Sequence, residues 1–167
     1  MNKLHIILGN QLFSPLHLKS IKAKKIYMRE DLGLCTYQKH HKHKIILYLS
    51  AMRSYRDELI KYGYSVHYEY LDAEKTDSYV SNLIKYICDN KIEIASIYKI
   101  EDKWFGNEIN KIEKHLKKLE ILDESPMFLT NTDDFISMCP KRNKPQYKMT
   151  DFYINQRKEL NILIDNK

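Results

Sequence analysis

The sequence is poor in glycine, in cysteine and in long apolar stretches. Its 167 residues include 4 glycines, and both the GxGxxG dinucleotide fingerprint and the GxxxxGK(S/T) phosphate loop are absent, which argues against a backbone cradle for a pyrophosphate. A Ser-His-Asp order and a GxSxG elbow are absent too, so hydrolysis has no support. The longest apolar stretches, such as Ile45–Leu49, are far too short to cross a bilayer. We therefore expect no membrane partner.

The three cysteines, Cys35, Cys88 and Cys139, lie far apart in the sequence. No pair has CxxC spacing, which excludes a zinc knuckle, a redox pair and a disulfide framework as interpretations. An iron–sulphur cluster normally requires four thiolates, so we expect that this chain cannot hold one unaided. Cys88 is predicted to be a small buried residue of an amphipathic helix.

The composition is that of a soluble globular protein with a moderate positive charge. The chain is 43% hydrophobic and 30% charged, and its formal net charge is +6. This charge is compatible with weak, salt-dependent, non-specific binding of DNA, although basic runs such as 22–25 and 114–118 are typical of solvated faces. The first eight residues contain neither a long apolar region nor a small-residue cleavage site, so we expect a cytoplasmic protein.

Strand-like and helix-like segments alternate along the chain, a pattern typical of a parallel sheet covered by helices. The predicted strands are Lys3–Leu8, Lys25–Met28, Val66–Leu71, Ile92–Ile100 and Glu120–Asp123. The predicted helices are Gln38–Tyr62, a helix capped by Asp77 that buries Val80, Leu83, Ile84 and Ile87, then Asn107–Leu119 and Met149–Ile164. We therefore predict one α/β domain over residues 1–167, with a doubly wound, mainly parallel, Rossmann-like sheet of five strands. The order 3-2-1-4-5 follows because the first strand is the most apolar and belongs in the centre.

Ligands of such sheets bind beyond the carboxyl ends of the strands. Gly9, Asn10 and Gln11 follow the first predicted strand, and their neutral amides suit a heterocycle or a ribityl chain better than a phosphate. The alternative is that these residues only close the turn. Tyr37 and Tyr48 could stack on a planar ring near the same edge, together with Trp104, or could fill the core instead.

Two other clusters have weaker support as sites. His40, His41 and His43 lie beside lysines, and no second group of cysteines or carboxylates completes a metal sphere. A solvated helix start is the preferred interpretation. Glu101 and Asp102 form a carboxylate pair after the fourth strand, but acid–base use would need partners that the sequence does not reveal.

Four segments resemble the photolyase-related family, also described as prokaryotic iron–sulphur cryptochromes and photolyases. They are Ile6–Leu12, where the family usually has Asp at the position of Asn10; His40–Ile45 running into Leu49–Arg53; Gly63–Tyr68; and Met149–Tyr153 followed by Arg157. The second segment is the most specific. Order and spacing agree from residue 4 to about residue 164, so the resemblance covers nearly the whole chain.

The resemblance implies an N-terminal antenna-type domain. In that family a doubly wound domain can hold a ribityllumazine chromophore at the strand ends, and the chromophore passes excitation to FAD in a helical domain that follows. The helical domain also holds a 4Fe–4S cluster and the surface that grips photodamaged DNA, and full-length relatives are DNA photolyases. This chain ends where the family continues, so we expect it to carry none of these cofactors itself and to be non-catalytic when isolated. The alternative is a stand-alone α/β module that binds a small ligand or a partner without light chemistry.

By resemblance, Gly9, Asn10, Gln11, Tyr37 and Tyr48 are the residues of the antenna-type crevice. Two departures from the family pattern bear on it. Leu34 occupies a position that tends to be acidic, and Tyr48 occupies one where an aliphatic residue is common. Added volume in a packed site typically costs ~1–3 kcal/mol, so we expect a crevice narrowed by Tyr48 and no bound lumazine.

The last predicted helix, Met149–Ile164, is expected to expose an apolar face that includes Phe152, Tyr153 and Leu160. Exposed apolar patches often mark partner surfaces. The resemblance implies that this helix faces a helical photolyase domain, or another protein that docks there.

Overall fold

The computed structural model describes residues 2–74, 77–123, 125–137 and 148–164, except for the side chain of Leu34. The chain divides into two compact units, Met1–Met127 and Phe128–Lys167. The prediction of a single domain over residues 1–167 stays a prediction. Cys139 lies outside the described residues.

The first unit contains a five-stranded parallel sheet of order β3-β2-β1-β4-β5. Its strands are β1 (Lys3–Ile6), β2 (Lys25–Arg29), β3 (Ser65–Glu69), β4 (Ile94–Tyr98) and β5 (Lys118–Leu122). In register, His5 of β1 lies beside Ile26 of β2 and Ser96 of β4. Both neighbours of β1 are parallel to it, and Leu4, Ile6 and Ile7 are at most 2% exposed. The predicted fold class and strand order are confirmed.

Helices cover both faces of the sheet. The α-helices of the first unit are α1 (Leu32–Thr36), α2 (Lys42–Lys61), α3 (Tyr79–Asp89) and α4 (Lys103–Asn110), and 3₁₀ helices span Pro15–Ser20 and Lys111–His115. Because successive strand residues point to opposite faces, two cores form. Leu83 and Ile109 pack with Leu4 on the face of α3 and α4, whereas Met52 and Leu59 pack with Met28 on the face of α2.

Local sequence explains most helix ends. His41 caps α2, since its Nδ1 accepts a hydrogen bond from the backbone N–H of His43. The helix ends at Lys61 with Tyr62 as its C-cap, and Gly63 follows with a φ of +85°, the left-handed conformation that glycine adopts without strain. The cap of α3 is Ser78, whose Oγ accepts from the N–H of Ser81, so the prediction of Asp77 as the cap is wrong by one residue.

Two further predictions are corrected. The predicted helix Asn107–Leu119 begins earlier, at Lys103, where Asp102 caps it, and its second half is the 3₁₀ helix followed by β5. The apolar spacing continues smoothly through this change because Ile112 and Leu116 still face the same core. Cys88 is exposed rather than buried, since it follows the core residue Ile87 on the outward side of α3.

The second unit contains two described helices, α5 (Thr132–Ser137) and α6 (Met149–Glu159). The predicted final helix is therefore confirmed in position but ends at Glu159 rather than Ile164. The rings of Phe135 and Phe152 meet edge to face at 5.0 Å between centroids. Within the ranges that the structure describes, no helix is both long and apolar enough to span a bilayer.

Candidate ligand-binding crevice at the carboxyl edge of the sheet

The switch point of the sheet lies between β1 and β4, since the chain leaves these neighbouring strands in opposite directions. In doubly wound sheets this is where the crevice opens. Gly9, Asn10 and Gln11 follow β1 at this edge, and Glu101 and Asp102 follow β4. The turn after β1 is closed by the backbone N–H of Gln11, which donates to the Leu8 carbonyl at 2.8 Å.

Tyr48 lies directly against the backbone of Gly9. A Cβ at Gly9 would stand 2.6 Å from Cε1 of Tyr48 and 2.8 Å from Sδ of Met52. Only glycine therefore permits this close approach of α2 to the turn after β1. The Tyr48 phenol therefore lies over the turn after β1, and the prediction of a crevice narrowed by Tyr48 stays a prediction.

The Tyr48 side chain is half-buried, with 43% of the residue exposed. Burial, and to a smaller extent the nearby Cys35 thiol, raises the pKa of Tyr48 to about 12. The phenol is therefore neutral at physiological pH and can both donate and accept a hydrogen bond.

Gln11 bridges the ends of β1 and β4. Its Nε2 donates to the carbonyls of Tyr98 and Lys99 at 3.3 and 3.2 Å, and the residue is 2% exposed. Its Oε1 is buried and has no hydrogen-bond partner in the described part of the chain. An unpaired buried acceptor costs about 1–3 kcal/mol, so a ligand N–H or hydroxyl that reached Oε1 would gain a good partner.

The other residues predicted for the crevice do not form one cluster with Gln11. Asn10 is exposed, and Tyr37 is 71% exposed with its ring against His40. Trp104 is 68% exposed and contacts Phe105. Among the described residues no ring contact joins Tyr37, Tyr48 and Trp104. Their assignment to one ligand site stays a prediction, and the Leu34 side chain lies outside the described part.

A charged cluster at the carboxyl end of β2 was not predicted as a unit. Glu30 is 3% exposed, and its carboxylate accepts two hydrogen bonds from Arg53, at 2.7 and 2.9 Å. It also accepts from the Tyr68 hydroxyl at 2.6 Å and the Leu71 N–H at 2.8 Å. Burial opposes ionisation, but these donors outweigh it and lower the pKa of Glu30.

A second carboxylate belongs to the same edge. Glu69 accepts from Arg29 Nη1 at 2.8 Å and from the Tyr27 hydroxyl at 3.0 Å. Together with His67, whose ring nitrogen lies 3.3 Å away, these groups lower the pKa of Glu69. The signal in the sequence was the unusual run Arg29-Glu30-Asp31 directly after an apolar strand, because charges that follow a buried strand need partners.

The histidine cluster serves as a helix start, as predicted: His41 caps α2 and its ring lies against that of His43. In the part of the chain that the structure describes, no three metal-binding side chains converge.

The residues predicted to form the docking face of the last helix are accessible to different degrees. Tyr153 is 56% and Leu160 39% exposed, whereas Phe152 is partly buried. None of the three is fully buried, which agrees with the expected exposed face.

One protein-family model matches nearly the whole chain. The model of a family described as deoxyribodipyrimidine photo-lyase-related protein matches residues 5–167. A (6-4) photolyase of Agrobacterium fabrum is 34% identical over 93 residues, which are 53% of this chain and 18% of that relative. The aligned part therefore spans less than a fifth of the relative's length.

Proposed function

Because the chain belongs to the deoxyribodipyrimidine photo-lyase-related protein family, we propose that it is the antenna-type α/β domain of a protein that repairs photodamaged DNA with light or senses light. The domain is non-catalytic on its own. In this proposal FAD and an iron–sulphur cluster belong to a helical domain, and the α/β domain contributes the crevice between β1 and β4. The observation that supports a ligand in the crevice is Gln11 Oε1 at the switch point, which is buried and has no hydrogen-bond partner among the residues that the structure describes.

The residues present fit a planar heterocycle in part. Gln11 offers an acceptor for a ring N–H or a ribityl hydroxyl, and the absence of a side chain at Gly9 permits close approach to the backbone. A ribityllumazine bound there would supply absorption of near-ultraviolet light. Tyr48 opposes this fit, since its ring already lies against Gly9. We propose that Tyr48 is the gatekeeper of the crevice and that the native chain takes up no lumazine.

The experiment compares lumazine uptake by the native chain and by variants of Tyr48. Ribityllumazine is added to each purified chain, and near-ultraviolet absorbance retained after gel filtration is measured. We expect no retention by the native chain, retention by Tyr48→Ile, and stronger retention when Leu34→Glu is added, because the family tends to have an acidic residue there. Each hydrogen bond to a charged acceptor is worth ~1.5–3 kcal/mol, or about one to two decades in affinity.

Tyr62→Ile is the matched control, since Tyr62 is an exposed tyrosine at the other end of the same helix. It should leave uptake unchanged. Micromolar binding by the native chain, or no gain in any Tyr48 variant that remains folded, would refute the gatekeeper role.

A further inference from the structure

A second pocket lies on the face of the sheet that carries α2, beside the 3₁₀ helix Pro15–Ser20. Its volume is about 580 Å³, within the range of ~300–1,000 Å³ that is typical of small-molecule sites. The lining residues at the amino ends of β1 and β4 include Lys3, Leu4 and Ile94. The lining extends along the sheet to Tyr98 and Leu122, the last residues of β4 and β5, but it does not include the crevice residues Gly9, Gln11 and Tyr48.

The floor of the pocket contains two buried hydroxyl groups on β4. Ser96 is 4% and Tyr98 5% exposed, and both line the pocket. Their bonds to carbonyl acceptors are long: 3.4 Å from Ser96 Oγ to the Leu4 carbonyl, and 3.4 Å from the Tyr98 hydroxyl to the His17 carbonyl. Because hydroxyl hydrogen bonds usually measure ~2.7–2.8 Å, the Tyr98 hydroxyl is available to a stronger acceptor. Ser96 Oγ also lies 2.9 Å from His5 Nδ1 and is already paired.

A buried histidine lies behind this floor. His5 Nδ1 is 2.9 Å from Ser96 Oγ, and the His5 ring meets that of Tyr98 edge to face at 5.5 Å. The histidine's Nε2 is buried, and no described residue forms a hydrogen bond with it. Polar atoms in the interior of a central strand that are incompletely paired are unusual in a purely structural core.

The walls are apolar and the rim is positive. Ile21, Ala23, Leu122 and Pro126 supply apolar surface. The rim carries Lys3 and Lys22, neither of which forms an ion pair with any described residue. The one carboxylate in the lining, Glu120, is 2.8 Å from Lys118 Nζ. The hydrogen bond from Lys118, together with a smaller attraction from Lys3, lowers the pKa of Glu120.

We propose that this pocket binds a small aromatic carboxylate. The ring lies against the apolar walls, and the carboxylate lies near Lys3 and Lys22 and accepts a hydrogen bond from the Tyr98 hydroxyl. The proposal does not depend on the crevice at the carboxyl edge, because none of the crevice residues Gly9, Gln11 and Tyr48 lines this pocket.

The experiment uses the full chain and 1-naphthoate as the probe, with binding followed by calorimetry and by backbone amide shifts. A ligand of this size binds with a dissociation constant on the order of 1 mM. We expect saturable shifts centred on Ser96, Tyr98 and Leu122. The neutral 1-naphthamide should bind at least fivefold more weakly.

Two variants with matched controls test the location. Ser20→Trp should fill the mouth of the pocket and abolish binding, whereas Lys19→Trp, at an exposed neighbour outside the lining, should not. Lys22→Glu should weaken binding about fivefold or more, since a charge pair at a partly exposed site is worth up to ~1 kcal/mol and reversal adds a repulsion. Lys24→Glu is its control. Absence of saturable binding, shifts centred on Gly9 and Gln11, or equal affinity in Ser20→Trp would overturn the site, and equal affinity for the amide would overturn the anionic assignment.

Discussion

The two halves of the sheet treat buried polar groups differently. At the carboxyl ends of β2 and β3, the carboxylates of Glu30 and Glu69 are buried or half-buried, and guanidinium, phenol and backbone donors all point at them. In β1, β4 and the turn after β1 the buried polar groups are neutral, and His5 Nε2 and Gln11 Oε1 have no hydrogen-bond partner among the described residues. The carboxylate oxygens of the first region all accept hydrogen bonds, and its unpaired Arg29 Nε is a donor that lies 3.6 Å from the Asp31 carboxylate. The second region instead leaves ring and amide atoms without a partner or a nearby opposite charge.

This difference has a physical consequence for function. A saturated network rigidifies an edge and offers little to a ligand, because each new contact must replace an existing one. An orphaned donor or acceptor lowers stability, and a ligand that pairs it recovers that free energy. The two candidate sites, the crevice and the pocket, both adjoin β1 and β4, where His5 Nε2 and Gln11 Oε1 are two such atoms.

The largest expected effect of a single substitution is at Glu30. Glu30→Ala should lower the free energy of unfolding by about 3 kcal/mol, since it leaves the Tyr68 hydroxyl and the Leu71 N–H without their acceptor and Arg53 without its partner. Urea unfolding measures this change. Glu58→Ala, at an exposed carboxylate of α2, should stay within ±0.5 kcal/mol. If Glu30→Ala lowered the free energy of unfolding by less than ~1 kcal/mol, the network around Glu30 would contribute little to the stability of the fold.

The second-largest expected effect is on the pH dependence of the free energy of unfolding. The two regions should lose stability in different pH ranges. Burial lowers the pKa of His5 to about 4, so the folded state stays neutral while the unfolded state takes up a proton below the usual value of about 6.5. Stability contributed by neutral His5 is therefore present above about pH 6.5 and is lost as the pH falls towards 4. Linkage gives a loss of about 2 kcal/mol between pH 7 and pH 5. The carboxylates Glu30 and Glu69, whose pKa values are lowered, lose their contribution only below about pH 4.3, the usual carboxyl value.

His5→Asn tests this separation, because an asparagine amide can replace Nδ1 as the partner of Ser96 Oγ but does not titrate. Urea unfolding at pH 7 and pH 5 should show a much smaller pH difference in this variant than in the native chain. His115→Asn, at an exposed histidine, serves as control and should retain the native pH difference. If His5→Asn lost as much stability between pH 7 and pH 5 as the native chain, the pH dependence above pH 5 would arise from other groups.

The sheet could be predicted from sequence because β-branched runs mark the strands, and the apolar first strand belongs in the centre. The helix Asn107–Leu119 was misplaced for an equally physical reason. Apolar spacing reports which residues face a core, and Ile112 and Leu116 face it from a 3₁₀ helix and the loop before β5. The better signal was Asp102, whose side chain caps α4 by accepting from Phe105 N–H.

The candidate site could be predicted only in outline. The position of Gly9, Asn10 and Gln11 after β1 followed from the alternation of strands and helices. The bridge from Gln11 to the carbonyls of β4 is a contact between residues 87 and 88 positions apart, and no local pattern encodes it. The network around Glu30 likewise joins three elements, so the sequence showed the charge but not its partners.

The smallest expected effect is at Gln11, and it tests the claim that β1 and β4 are incompletely paired. Gln11→Met keeps the length of the side chain, removes two long hydrogen bonds to Tyr98 and Lys99, and also removes the orphaned Oε1. Losing the hydrogen bonds lowers stability, whereas removing the unpaired acceptor raises it, so the two effects partly cancel. Urea unfolding should therefore show a decrease of only about 1 kcal/mol in the free energy of unfolding, well below that of Glu30→Ala. Gln38→Met, at an exposed glutamine, is the control and should change stability by less than ~0.5 kcal/mol. A loss of ~3 kcal/mol or more would indicate that Oε1 has a strong partner, and the contrast between the two halves of the sheet would then be wrong.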